Sequence, residues 1–112
     1  ARIAATDLRG ALAAADELER KLPGRALPAQ IRGQVLVAMR DANGAQRSFE
    51  SALERDRTYA PAVLALASLD VARGARDAAR ARLEKFVAEV PTSGQAMMMI
   101  ANIPQANGAP PG

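Results

Sequence analysis

The sequence predicts an all-α protein made of antiparallel helical hairpins stacked one on the next, and three observations predict it. The composition favours helices: 27 of 112 residues are Ala, 49% are hydrophobic and 3% aromatic, so a core has to come from small and aliphatic side chains at close helix contacts. The chain matches itself when shifted by 34 residues, and a fixed period of that size marks a repeat architecture. Within each period the apolar positions follow helical spacing: Ala45, Phe49, Ala52 and Leu53 fall at i, i+4, i+7 and i+8, and so do Ala79, Leu83, Phe86 and Val87.

The repeat is carried by several columns. Ala11 aligns with Ala45 and Ala79, Ala15 with Phe49 and Leu83, Leu18 with Ala52 and Phe86, and Pro23 with Arg57 and Pro91. Ile3, Val37 and Val71 share a column, as do Gly33, Ala67 and Ala101, and Gly74 meets Gly108. Two full periods result, 26–59 and 60–93, flanked by 1–25 as the later part of a preceding unit and 94–112 as the first helix of a following one plus a tail.

Taken in order, the helices are expected at 1–5 as a remnant, then 7–22, 27–40, 42–56, 60–73, 76–90 and 94–103. Pro23 and Pro91 stand where second helices must stop. Asn43-Gly44 is a turn signal in general, but the repeat register places it near the start of a second helix. Pro61 suits a first helical turn, Gly74 a helix end, and Asp77 the N-cap of the helix after it. Pro104 to Gly112 reads as loop, and the chain is expected to be a segment of a longer bacterial protein.

The inventory excludes much chemistry. With no Cys, His or Trp, the chain lacks thiolate nucleophiles, disulfides, imidazole bases and Cys/His metal sites. Ser48 and Ser51 have no His partner, Asp16, Glu17 and Glu19 read as helix-surface acids, and no Gly-rich loop precedes a Lys. Neither an enzyme nor a cofactor is expected. The net charge of +3 is spread along helices where Arg and acid alternate, which suits a mixed solvated surface better than a nucleic-acid face. Tyr59 is the sole plausible stacking platform for single-stranded RNA, so that reading ranks low. No apolar run approaches the roughly 20 residues of a membrane span.

The period and the order of small residue, aromatic or aliphatic residue, small residue and closing Pro resemble the tetratricopeptide repeat. Leu66-Ala67, Ala79, Leu83 and Pro91 stand at the family's slots in one unit, and Gly33, Ala45, Phe49 and Ala52 in the other. Ala29 and Val63 replace the bulky first-helix aromatic, and Arg57 replaces a Pro. The resemblance implies a right-handed α-solenoid in which the small residues let the two helices of a hairpin touch, while Phe49 or Leu83 fills the space between neighbouring hairpins. It also implies a concave groove lined by first helices, here Ile3, Gln30, Gln34, Val37, Leu64, Ser68, Val71, Met98 and Asn102.

None of these nine residues is charged, so a clamp for a partner's terminal carboxylate is not expected. They suit a protein or peptide ligand, an extended segment or a helix, held by apolar contact and amide hydrogen bonds. The alternative is that they pack against adjoining repeats in a structural spacer.

Arg32 and Asp70 occupy slots that are normally apolar or aromatic. Either they pair across the stack or both reach solvent past thin Ala neighbours. Of Met97, Met98 and Met99, at least one should stay exposed, which raises a homodimer through open repeat ends as a second partner expectation. The Arg-rich, Lys-poor wording, Leu69-Asp70 and Gly108-Ala109-Pro110-Pro111 further resemble the tetratricopeptide lipoproteins of bacterial exopolysaccharide and PEP-CTERM sorting systems. That likeness implies the periplasm or outer membrane and a role in assembling export machinery.

Overall fold

The computed structural model describes residues 5–103, and every regular element within them is a helix. α1 spans Ala5–Lys21, α2 Ala26–Ala38, α3 Ala42–Arg55, α4 Ala60–Ala72, α5 Arg76–Glu89 and α6 Gly94–Asn102. The fold is the all-α helical repeat that the periodicity predicts. One boundary differs. Residues 1–4 of the expected remnant helix lie outside the described residues, and Ala5 already belongs to α1, because Ala5-Thr6-Asp7 contains neither Gly nor Pro to interrupt a helix.

The period is visible in individual backbone hydrogen bonds. At the end of α2, the amides of Met39, Arg40 and Asp41 donate to the carbonyls of Val35, Val37 and Leu36, each at 2.9 Å. Thirty-four residues on, the amides of Arg73, Gly74 and Ala75 donate to Leu69, Val71 and Asp70 at 3.1, 2.9 and 2.8 Å. These bonds satisfy the last carbonyls of a helix, and they require a left-handed residue just past its end. Gly74 fills that place with φ 84°, and Arg40 fills it with φ 66°.

Helix starts depart from expectation in an informative way. Asp41 caps α3, its carboxylate accepting from the Gly44 amide at 2.9 Å, and Ser93 caps α6 through the Ala96 amide at 3.3 Å. Asn43-Gly44 therefore lies inside a first helical turn, as the register demands. Asp77 does not cap α5: the N-cap is Ala75, which has no side-chain acceptor, and Asp77 sits in the first turn, where its charge still meets the helix dipole favourably.

The chain divides into two compact units, Ala1–Ala62 and Val63–Gly112. In the first, α2 packs on α1 and on α3, and the buried hydrophobic residues include Ala15, Ala26, Ala29, Val35, Ala45, Phe49, Ala52 and Ala62. A Cβ built on Gly33 would lie 2.5 to 2.8 Å from three carbons of the Phe49 ring. The small residue and the aromatic, expected to serve different contacts, thus form one contact inside a single hairpin: the ring occupies the space that the missing side chain leaves. In the second unit Val63, Leu66, Ala67, Ala79, Leu83, Phe86, Ala96 and Ile103 are buried, and α5 packs on α6.

Arg32 and Asp70 do not pair with each other. Arg32 donates to Asp16 on α1, in an exposed pair, whereas the buried Asp70 accepts from Arg82 Nε on α5 at 3.0 Å. Each oddly placed charge finds its counter-charge on a neighbouring helix of its own unit, and for the buried Asp70 that partner is what a carboxylate taken out of water requires. Arg80 donates to the Ile103 carbonyl at 2.8 Å, a charged side chain closing the open end of α6.

Candidate functional site

The uncharged first-helix face is best formed in the second unit. Ser68 and Val71 are one helical turn apart on α4, and Met99, Asn102 and Ile103 follow the i, i+3, i+4 rule on α6. These five side chains line a recess of about 250 Å³. Its walls are mostly aliphatic, with one hydroxyl and one amide at the rim. An apolar side chain of a ligand gains by entering such a space, and the Ser68 and Asn102 groups orient the backbone that carries it.

Of the nine groove candidates, Ser68, Val71 and Asn102 are brought together at this recess, and all three are exposed. Leu64 is on the same helix and half-buried. Met98 is 67% exposed but does not line the recess; Met99 does. Three consecutive Met residues on a helix point in directions about 100° apart, and the phase that decides among them comes from how α6 sits on its neighbours. Ile103, which also lines the recess, lies just past the end of α6 as its C-cap. Spacing from Met99 could have found it.

In the first unit, Gln34 and Val37 are exposed on α2. Gln30 is not on an open face. It is 4% exposed and shares the buried stripe of Ala26, Ala29 and Gly33 at i, i+3, i+4 and i+7, so it is a core amide, and its Oε1 accepts no hydrogen bond from the described residues. Ile3 lies outside the described residues.

Among the described residues no helix is long and apolar enough to cross a membrane, and no group of three or more Asp and Glu is placed to hold a metal ion.

The profile of the tetratricopeptide repeat matches residues 36–103, more than half of the chain and the whole of α3 to α6. No curated protein matches the sequence. Tetratricopeptide repeats generally mediate protein–protein interaction, bind proteins or peptides, and are typically non-enzymatic. The helix pairs, the terminal hydrogen bonds recurring 34 residues apart and the profile match agree, and the chain belongs to the tetratricopeptide repeat family.

Proposed function

We propose that this chain is a non-catalytic interaction scaffold whose repeats, 26–59 and 60–93, present their first helices to a peptide or helix of a partner protein. The observation that carries the reading is the recess walled by Val71, Met99 and Ile103 with Ser68 and Asn102 at its rim: uncharged, open, and sized for one apolar side chain. Leu64 on α4 and Met98 on α6 are further candidates in the second unit, and Gln34 and Val37 on α2 are the candidates of the first. The absence of Lys and Arg among these residues favours an uncharged segment over a C-terminal carboxylate. The likeness to lipoproteins of exopolysaccharide and PEP-CTERM systems supports an export assembly in the bacterial envelope as the setting.

Selection of peptides from a random library on the intact chain tests this. The expected winners carry an aliphatic anchor and lose at least about tenfold in affinity when Ser68→Glu or Val71→Glu puts a charge at the recess, since an unpaired charge facing an apolar ligand costs on the order of 1.4 kcal/mol or more. Ala13→Glu, on the exposed side of α1, serves as the control and should leave affinity unchanged. Winners that bind both variants equally would overturn the assignment. The rival reading, self-association through α6, is favoured by the exposure of Met97 and Met98. Under that reading Met98→Lys converts a dimer to a monomer in sedimentation equilibrium while peptide selection yields nothing.

A further inference from the structure

A second cavity, in the first unit, lies among α1, α2 and α3, with a volume of about 440 Å³. Its polar lining is unusual. Gly44, Arg47, Ser48, Ser51 and Arg55 follow one face of α3, and Arg32 enters from α2 with Glu19 from α1. Three guanidiniums therefore border one space against two lining carboxylates, Glu19 and Asp41.

The hydrogen bonds leave those guanidiniums oriented but not saturated. Arg55 uses Nη1 for both Glu19 and the Arg25 carbonyl, the latter at 3.0 Å, and Arg32 uses Nη2 for Asp16. A guanidinium has five N–H donors, so the Nε and remaining Nη groups of both are unengaged by the described residues. Arg47 has no partner among them. Ser48 is 8% exposed, and its hydroxyl makes no hydrogen bond with the described residues, although the residue lines the cavity. The residue is largely covered but lines the open cavity, so its hydroxyl is free to donate to a molecule bound there. Asp41, by contrast, is committed to the Gly44 amide, and a Cβ at Gly44 would sit 2.5 Å from its carboxylate.

The corresponding slots of the next repeat differ in charge. Thirty-four residues after Leu36 and Ser48, both cavity residues, stand Asp70 and Arg82, which form the buried ion pair. In the second unit a protein carboxylate meets a protein guanidinium at these slots. In the first, those slots hold Leu36 and Ser48, neither of which supplies a charge.

We propose that this cavity binds an oxyanion, a phosphate or a carboxylate, carried on a small polar molecule. The anion supplies to these guanidiniums the negative partner that Asp70 supplies to Arg82 in the following repeat, where the first has Leu36. It accepts from Arg47 and from the free N–H groups of Arg55 and Arg32, with the Ser48 hydroxyl as a further donor. The fork geometry of guanidinium suits both anions, and the ion pairs with Asp16 and Glu19 hold two of the three forks in place before the ligand arrives. A volume of 440 Å³ exceeds what the anion alone needs and falls within the range of small-molecule sites.

Titration of the full chain at physiological salt, followed through the arginine Nε–H resonances, tests the site. The probes are glycerol phosphate and inorganic phosphate in one arm and succinate in the other, so that the tighter arm identifies the anion. Saturable shifts are expected at Arg32, Arg47 and Arg55 and not at Arg9 or Arg76. Arg47→Gln should weaken binding about tenfold, the loss of one charge-assisted donor pair, with the helical circular dichroism unchanged. Ser48→Ala should weaken it a few-fold. No saturable shift with any probe, equal shifts at all arginines as for a basic chain collecting counter-ions, or undiminished affinity in Arg47→Gln would each overturn the proposal.

Discussion

In the α2–α3 hairpin the Phe49 ring fills the space beside Gly33, whereas 34 residues on the same slots hold Ala67 and Leu83. All four residues are buried, and Phe49, Ala67 and Leu83 are each no more than 1% exposed. A gain on one side accompanies a loss on the other: Gly with the bulky Phe ring in the first unit, and the larger Ala with the smaller Leu at the same slots in the second. Interiors fill space to a nearly constant density, so summed volume is conserved while the individual residues vary. Charge shows the opposite behaviour. The second unit buries an acid, Asp70, against Arg82, and the first keeps Leu36 and Ser48 at those slots and places its charges at the surface. Packing volume is therefore the shared constraint of the two repeats, and polarity is where they have diverged.

The largest effect expected from breaking this correspondence is at Phe49. Truncation to Ala removes a ring that is 1% exposed and leaves a void beside Gly33, which has no side chain to fill it, so a loss of about 3–5 kcal/mol is expected in urea unfolding. Leu83→Ala should cost about 2–5 kcal/mol by the same mechanism. The two should differ in where the loss is felt. Stability in a repeat array is local to each module and its neighbours, so amide exchange in α2 and α3 should quicken most for Phe49→Ala and that in α4 to α6 most for Leu83→Ala. Equal acceleration throughout the chain in both variants would mean that the two units unfold as one.

Gly33→Ala sharpens the comparison at intermediate size. Helix propensity alone favours Ala by about 1 kcal/mol, but the new methyl would meet the Phe49 ring at 2.5 Å, so a net loss of about 1–3 kcal/mol is expected. Combining it with Phe49→Leu reproduces the Ala and Leu of the second repeat. The double variant should then be more stable than the sum of the single losses predicts, by about 0.5–3 kcal/mol in a double-mutant cycle. Strict additivity in thermal or urea unfolding would show that the two slots do not share one volume.

Much of this was legible in the sequence because packing leaves a periodic trace. Ala45, Phe49 and Ala52 recur as Ala79, Leu83 and Phe86, and helical spacing with Pro61, Gly74 and Pro91 places all six described helices to within about two residues. What was not legible depends on rotation about a helix axis or on partners from other helices. Gln30 looks like a surface amide by type, but it shares its stripe with Ala26 and Gly33. Met98 and Met99 differ only in phase. Asp70 is explained by Arg82, twelve residues away on the next helix, and no rule of spacing selects that Arg over Arg80 or Arg76. Asp41 and Ser93 were signals that could have been used: each is a preferred capping residue just before a helical run.

The smallest expected effect is also the cleanest, because it involves no packing. Arg40 and Gly74 hold the same place past a helix end, make corresponding bonds, and both have positive φ. For Gly74 that conformation is free of steric cost; for Arg40 the Cβ crowds the backbone, a penalty of roughly 1–2 kcal/mol. The Arg40 side chain is exposed and makes no hydrogen bond or ion pair with the described residues, so removing it loses no contact. Glycine does widen the unfolded ensemble, which offsets about 0.4–1 kcal/mol of the gain. Arg40→Gly should therefore raise stability by about 0.5–1 kcal/mol, a few degrees in melting temperature for a chain of this size. The reciprocal change, Gly74→Arg, should lower it by a similar amount. A Cβ at residue 74 meets nothing within 4 Å, so conformational strain is the sole cause available. If Arg40→Gly melts at a lower temperature than the parent chain, left-handed strain is not what distinguishes the two turns.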